Sequence, residues 1–403
     1  MNIEEQLALL MQGTEYGDKE LKENMTNELR QRLSEAENEN RPLRVYCGFD
    51  PRTSDLHLGH TVPMRKLRQF QELGHEVTFV VGSFTSLIGD PSDQDKLRPQ
   101  LTTEQVEHNE RTYAEQAYKI LDRTKTRIRF NSEWLSELSF QEVIKLASNF
   151  SIQQFLTREA FRKRWDNGDP IYLHETFYSI MQGYDAHTLQ ADVQVGGTDQ
   201  LFNIVTAARK IMTSLGDRPN IAVILGILPG TDGEVKMSKS LGNHIPLLST
   251  PEDMYGKVMS VPDKAMGLYM RLVTPWTPDQ IAALETGLRT GALHPRDVKM
   301  SLAREIVSIY HGVDWADHAE EAFKKVFQQK EIPDDIPTIS LQAGQSVLEV
   351  LVAAKLVSTK SDGRRMIEQK GVKLDGEILE KFDAAFPHPG VLQVGKRRFV
   401  RVI

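Results

Sequence analysis

An apolar run, Arg44-Val45-Tyr46-Cys47-Gly48-Phe49, leads through Asp50-Pro51-Arg52-Thr53-Ser54-Asp55-Leu56-His57-Leu58-Gly59-His60 into a helical pattern. In that pattern Val62, Met64, Leu67, Phe70 and Leu73 fall on one side, and a second apolar run, Glu76 to Gly82, follows. Strand, loop, helix, strand is the unit from which parallel sheets are built, and its first turn is where such sheets hold phosphates. Here the turn carries two imidazoles around one glycine in place of a glycine ladder. Gly59 lets a ligand approach the backbone, His57 and His60 supply donors, and the helix amino end adds partial positive charge. The combination suits a nucleotide polyphosphate.

Such a unit needs a core to sit in. The chain has 403 residues, 40% hydrophobic and 26% charged, enough for two or three globular domains. One cysteine, Cys47, excludes an internal disulfide and a cysteine-rich metal site. The start, Met1 to Gln6, is acidic and lacks the basic residues and apolar core of an export signal. No apolar run nears the roughly 18 residues of a membrane span. We therefore expect a cytoplasmic protein with no membrane association and no protein-bound metal. The net charge of −7 is uneven: residues 340–403 carry 11 basic against 7 acidic side chains, the rest 38 against 49. A basic tail on an acidic body fits a nucleic-acid contact, and equally an unevenly charged solvated surface.

Residues 1 to about 40 read as an amphipathic helix, with Leu7, Leu10 and Met11 together, then a charged segment with no evident chemistry. After the second strand, Gly82 to Ser92 forms a Gly/Ser/Pro loop at a strand's carboxyl end, followed by a polar run from Asp93 to Arg98. Thr102 with Gln105 fits a capping box for a helix reaching about Asp122. Arg127 to Phe130 is a short strand, and helical patterns dominate from there to about Ile180. Tyr178, Gln182 and Asp185, at i, i+4 and i+7, share one helix face, which is either solvated or a buried hydrogen-bonding site.

Ala191 to Gly197 alternates like a strand, and Thr198-Asp199-Gln200 opens the next helix, a strand-end carboxylate suited to a ribose or an ammonium group. Ile221 to Leu225 is the final apolar strand before Lys236-Met237-Ser238-Lys239-Ser240. Two lysines three apart on a glycine-flanked loop form a mobile cation clamp or a solvated surface. From Pro251 to about Gln329 the pattern is helical, with proline in the first turn at Pro251, Pro278 and Pro295. Glu331 to Pro337 reads as a linker. Beyond it lies a compact unit with helices at Val347–Ala354 and Ser361–Gln369 and strands at Val372–Leu374 and Phe399–Ile403.

His57-Leu58-Gly59-His60 and Lys236-Met237-Ser238-Lys239-Ser240, in that order and about 180 residues apart, resemble the two signatures of class I aminoacyl-tRNA synthetases. Tyr46-Cys47-Gly48-Phe49-Asp50-Pro51, Gly89-Asp90-Pro91-Ser92, the Tyr178/Gln182/Asp185 face and Gly196-Gly197-Thr198-Asp199-Gln200 are similar to the bacterial tyrosyl branch. Ser358 to Ile367 with Gly371 to Gly376 resembles the small RNA-binding module of a ribosomal protein that this branch also carries. The likeness spans nearly everything after about residue 40.

The resemblance implies an α/β chain: a Rossmann-like parallel-sheet catalytic domain over 1–245 with an inserted helical connection, then an α-helical anticodon-side domain over 246–330. A linker over 331–339 and a small α+β RNA-binding module over 340–403 complete it. It implies activation of L-tyrosine by ATP with Mg2+, transfer to tRNA(Tyr), and a homodimer. Tyr46 and Asp185 would grip the phenol hydroxyl, while Tyr178, Gln182 and Asp90 would hold the ammonium. Asp50, Gly197, Asp199 and Gln200 would contact the ribose and activated carboxylate. His57, Gly59, His60, Lys236, Ser238 and Lys239 would take the triphosphate, and Asn131 and Trp134 the acceptor end or pyrophosphate loop. Lys360, Arg364, Arg365 and Lys373 would contact tRNA.

Two departures stand out. Arg52 occupies the place of a threonine near the γ-phosphate, so that contact is made by arginine or shifts to Thr53. The loop from Asp93 to Lys96 gives no basis for a phosphate role at Lys96 or Arg98. The intact Lys236–Ser240 signature fits the subgroup that retains it. Three rivals are weaker. A tryptophanyl relative is opposed by Tyr46, Asp185 and the tail module, a non-catalytic RNA-binding scaffold by the intact signatures, and a nucleotidylyltransferase by length and tail. The attacking carboxylate is ionised at neutral pH, so the first step needs no general base. The sequence offers cation donors and no nucleophilic triad.

Overall fold

Five strands run in one direction: β1 (Arg44–Phe49), β2 (Glu76–Val81), β3 (Thr126–Phe130), β4 (Val193–Gly197) and β5 (Ile221–Leu225). In the computed structural model they lie in the order β3-β2-β1-β4-β5. The structure describes residues 1–51, 56–92, 113, 115–325, 336–341, 344–395 and 398–403. Arg52 and Thr53, the 93–98 loop, the helix start at Thr102 and linker residues 331–335 lie outside the described residues. The chain divides into two compact units, Met1–Val313 and Asp314–Ile403.

In the first unit the inner strands are largely apolar, as expected where helices cover both faces of a sheet, while the edge strand β3 carries Arg127 and Arg129. All five residues of β5 are buried, as are Val45, Tyr46 and Cys47 of β1. The helix α3 (Leu58–Glu72) follows β1, and Val62, Met64, Leu67 and Phe70 form its buried side, as the pattern predicts. Between β1 and β4 the strand order reverses. Their carboxyl ends diverge there, which is where open α/β sheets take ligands.

The first 40 residues form two helices, α1 (Ile3–Met11) and α2 (Lys19–Asn38), with Gly13 and Gly17 at positive φ between them. The segment between the helices lies along β5: Glu15 N donates to Ile224 O at 2.8 Å and Gly226 N to Gly13 O at 3.0 Å. Lys66 on α3 donates to the carbonyls of Leu9 and Gln12 at the end of α1, at 2.9 and 3.1 Å. Burial pushes its ammonium down to about 7.

The helix Leu173–Thr188 carries Tyr178, Gln182 and Asp185. It packs against a segment that departs from the expected α-helix: after a 3-10 turn at Thr198–Gln200, residues Phe202–Ala208 form a π-helix, then Arg209–Ser214 an α-helix. Stretches of i→i+5 bonding are rare and gather near functional sites. The expected proline-led starts are present: Thr250 and Thr277 accept from the third helical backbone N–H, and His294 accepts from Arg296 N.

In the second unit, strands β6 (Thr338–Ile339), β7 (Val372–Leu374), β8 (Glu377–Ile378), β9 (Gly390–Val394) and β10 (Arg398–Val402) form a sheet ordered β6-β10-β9-β7-β8. With helices Val347–Ala353 and Lys360–Glu368 it encloses its own core around Leu351, Val372, Leu392 and Val400. The pattern did not announce β9, which starts directly after Pro389 and pairs antiparallel with β10. No helix among the described residues is long and apolar enough to cross a membrane.

Gly183 of the Leu173–Thr188 helix faces the end of the π-helix and the start of the α-helix that follows it. A Cβ there would stand 2.9 Å from Ile211 Cγ1 and 3.2 Å from the Ala208 Cα. Gly183→Ala gains about 1 kcal/mol of helix propensity. It meets a fully buried β-branched side chain and a backbone atom, and overpacking of that kind costs about 1–3 kcal/mol. The steric effect wins. Gly183→Ala is expected to lower the urea unfolding midpoint without changing the slope of the transition.

Candidate active site

A cavity of about 910 Å³ opens at the β1/β4 divergence. Asp50, His57, Gly59, His60, Asp90, Tyr178, Gln182, Asp185, Gly197, Asp199, Gln200, Lys236, Ser238 and Lys239 all line it. Tyr46 stands behind the wall, fully buried, its hydroxyl donating to the Gln182 carbonyl at 3.3 Å. Burial and then the Asp185 carboxylate push its phenol well above the usual value.

The two histidines cap the helix that carries them. His57 Nδ1 accepts from Gly59 N and His60 Nδ1 accepts from His57 N, both at 3.2 Å, a reciprocal capping box built from imidazoles. With Nδ1 accepting, the ring proton of each sits on Nε2. The rings lie 3.9 Å apart between centroids. Burial, then the neighbouring imidazoles and Lys236, pushes His57 down to about 2. Burial and then Lys236 pushes His60 down to about 4. Both are neutral donors at physiological pH.

A backbone bridge joins this turn to the lysine loop. Leu58 N donates to Ile245 O, and Leu247 N to Leu56 O, each at 3.0 Å. Met237 is buried and approaches Gly59, where a Cβ would lie 3.6 Å from Met237 Cβ and 3.0 Å from the His57 ring. The flanking Lys236 and Lys239 are exposed. Lys236 Nζ pairs with Asp199 at 2.9 Å, an exposed contact worth at most about 1 kcal/mol. Asn243, which the sequence did not single out, holds the loop base: its Oδ1 accepts from Ser238 N at 2.8 Å and its Nδ2 donates to Asp232 at 2.6 Å.

At the opposite, buried end, Asp185 accepts from Trp134 Nε1 at 2.8 Å and Asn131 Nδ2 at 3.3 Å. Asn131 and Trp134, expected at the acceptor end or the pyrophosphate loop, hold this carboxylate. Burial pushes the Asp185 carboxyl up to about 7, and the two donors oppose that shift. Midway, Asp50 accepts from Thr85 Oγ1 at 2.9 Å and the Tyr178 hydroxyl at 3.3 Å. Asp90 accepts from Gln200 Nε2 at 2.7 Å and Ser92 N at 2.9 Å. Gln182 Oε1, on the cavity lining, is buried with no partner among the described residues.

In the second unit the expected tRNA-contacting cations engage their own surroundings. Lys360 pairs with Glu349 at 3.3 Å, Arg365 pairs with Asp362 at 2.9 Å, and Arg364 lies 5.2 Å from the Phe382 ring centroid. Lys373 is half-buried on β7.

A profile of the family described as tRNA synthetases class I (W and Y) matches residues 37–328. The tyrosine–tRNA ligase of Thermotoga maritima is 47% identical over 362 residues, covering 89% of this chain and 90% of that protein. Tyrosine–tRNA ligase 2 of Clostridium acetobutylicum is 43% identical over 405 residues, covering 100% and 99%. Among solved structures, the tyrosyl-tRNA synthetase of Archaeoglobus fulgidus complexed with L-tyrosine shares the fold at a TM-score of 0.62. It is 23% identical and covers 79% of this chain and all of that one.

The depressed histidines give a signed prediction for stability. Unfolded imidazoles titrate near 6.5, while folded His57 and His60 remain neutral to about 2 and about 4. As pH falls below about 6.5 the unfolded chain takes up protons that the folded one refuses, so stability falls. The urea midpoint is expected to drop between pH 7 and 5, and to drop less in His60→Gln.

Proposed function

The chain belongs to the W and Y family of class I tRNA synthetases, among its tyrosine–tRNA ligases, and from that premise we propose how its residues divide the reaction. The activity joins L-tyrosine to tRNA at the expense of ATP. A tyrosine carboxylate oxygen attacks the α-phosphate, pyrophosphate leaves, and a hydroxyl of the tRNA 3′-terminal ribose then takes the tyrosyl group from the adenylate. In our reading Asp185, with Tyr46 behind it, receives the phenol hydroxyl, and Trp134 and Asn131 hold Asp185 in place. Tyr178, Gln182 and Asp90 take the ammonium group. Asp50, Gly197, Asp199 and Gln200 meet the ribose and the activated carboxylate.

The triphosphate falls to His57, Gly59, His60, Lys236, Ser238 and Lys239. No general base is needed for an already ionised nucleophile, so the task is positioning and neutralising the charge that grows on pyrophosphate. The imidazoles act as neutral Nε2–H donors at fixed positions, and the lysines bring charge on a loop. Lys236 gives up a weak exposed pair with Asp199 for a polyanion. Mg2+ is assigned to the substrate, arriving on ATP.

The finer organisation is also part of the proposal. We divide the chain into a catalytic domain to residue 245, a helical domain to 330, a linker to 339 and an RNA-binding module. Lys360, Arg364, Arg365 and Lys373 contact tRNA(Tyr). Exposed Phe140, Ile144, Ile152, Trp165, Tyr172 and Leu173 on four successive helices support a homodimer. A cytoplasmic setting follows from the substrates.

The observation that carries the reading is a buried, donor-held carboxylate sharing one cavity with the capped histidine turn and the lysine loop. Amino-acid-dependent ATP–pyrophosphate exchange, run with tyrosine, tryptophan and phenylalanine, is expected to proceed with tyrosine alone. Exchange driven by tryptophan would overturn the roles of Tyr46 and Asp185. Asp185→Asn is expected to cut the preference for tyrosine over phenylalanine by roughly tenfold or more while leaving the KM for ATP within about twofold. Unchanged discrimination would remove Asp185 from its assigned place.

A further inference from the structure

One buried cation beside the cavity has no part in the reading so far. Arg158, at the N-cap of the helix Glu159–Asn167, is 8% exposed, and no carboxylate contacts its guanidinium among the described residues. It donates through Nη1 to Ser179 Oγ at 3.0 Å and through Nη2 to Ser92 Oγ at 2.6 Å. From these serines the contacts close into a ring. Ser179 Oγ donates to Asn203 Oδ1 at 2.7 Å, and Asn203 Nδ2 donates to Gln200 Oε1 at 2.9 Å. Gln200 Nε2 donates to Asp90 Oδ2 at 2.7 Å, and the Ser92 backbone N–H donates to Asp90 Oδ1 at 2.9 Å. Ser92, Ser179 and Asn203 are at most 3% exposed. Only Asp90 and Gln200 reach the cavity.

We propose that Arg158 is the positioning residue of the α-amino-group subsite, orienting Asp90 and Gln200 through this closed ring of buried hydrogen bonds. The inference rests on the reading of Asp90 as an ammonium contact. The ring leaves Asp90 one geometry: each carboxylate oxygen already accepts one bond from the wall, and the remaining lone pairs face the cavity. Arg158 is suited to the pivot because its planar fork spans two hydroxyls that belong to different elements, which a point-charge ammonium does not do. The rings of Phe161 and Phe202, 5.0 and 5.2 Å from its central carbon, fix the plane of that fork. Its charge acts at range as well. Burial pushes the guanidinium down from its usual value, and Asp90 is the foremost charge opposing that shift. The π-helix contributes Asn203, the member that links the Arg158 side of the ring to Gln200.

A bland structural cross-link would weaken all substrates together, whereas a positioning role discriminates among them. The test is pyrophosphate exchange with Arg158→Met, Arg158→Lys, Ser92→Ala and Asp90→Asn, alongside inhibition by the des-amino analogue of tyrosine. Arg158→Met and Ser92→Ala are each expected to raise the KM for tyrosine roughly tenfold, with the KM for ATP and the inhibition constant of the analogue within about twofold of the parent values. Arg158→Lys is expected to recover part of the loss. An unchanged KM for tyrosine, or a parallel weakening of tyrosine and its des-amino analogue, overturns the proposal. Should Arg158→Met fail to fold, Ser92→Ala interrogates the same ring from the other side of the fork. Asp90→Asn separates the two layers of the argument. If it leaves the KM for tyrosine unchanged, the ammonium reading fails. If it raises that KM while Arg158→Met and Ser92→Ala do not, the ammonium reading stands and the role of Arg158 falls.

Discussion

Two backbone hydrogen bonds, Leu58 N to Ile245 O and Leu247 N to Leu56 O, set the histidine turn and the lysine loop in register. A hydrogen bond nets only about 1 kcal/mol, too little to hold a loop of this length against its closure entropy unaided. The apolar side chains of the same four residues supply the difference. Leu56, Leu58, Ile245 and Leu247 are all 0–1% exposed, and burying each such side chain is worth about 1.5–3 kcal/mol. Burial thus provides the affinity between the two segments and the hydrogen bonds choose the register. Met237 extends the same seam to Gly59, so the residues between the two lysines anchor the loop while the lysines stay in solvent.

From the mouth inward, the site passes from weak electrostatics to strong. At the mouth, Lys236 and Asp199 meet in a high-dielectric setting where a contact is easily exchanged. Deep in the cavity, Asp185 is buried, and each donor counts for about 1.5–3 kcal/mol toward its ionised form. The histidines lie between these regimes and are neutral because burial outweighs any gain from charging. A neutral imidazole with Nδ1 committed to the backbone has one orientation and one donor. Preorganised donors of this kind stabilise charge that develops during reaction without prior reorganisation.

Much of this was legible in the sequence where periodicity and type coincide. The strand–turn–helix unit at 44–81, the polar face of Tyr178, Gln182 and Asp185, and the proline-led helix starts all follow from spacing. What stayed hidden depends on contacts between distant segments. Nothing local marks Arg158 as buried, since arginine at a helix start ordinarily faces water; its place is dictated by Ser92, Ser179 and Asn203. The hold of Trp134 and Asn131 on Asp185 was hidden because those contacts span 51 and 54 residues of sequence. The charge state of the histidines was hidden for a related reason: residue type announces an imidazole, and only burial sets its pKa. The π-helix was invisible because its composition is that of an ordinary helix.

The first 40 residues, which carry no chemistry, act on the site from behind. Lys66 leaves α3 on the side away from the histidine turn and terminates α1 by taking the carbonyls of Leu9 and Gln12. A buried lysine held only by carbonyls is expensive, as its ammonium pushed down to about 7 shows. That cost is offset in part by satisfying the Gln12 carbonyl and the second lone pair of Leu9 O, which also accepts from Gln12 N at 3.3 Å. Gly13 and Glu15 meanwhile pair along β5 as it runs into the cavity wall at Gly226. The helix that presents His57 and His60 is therefore held at its amino end by the 245–247 bridge and farther along by the amino-terminal segment. A catalytic turn that works by fixed donors needs that rigidity, and here it is supplied by residues outside the cavity lining.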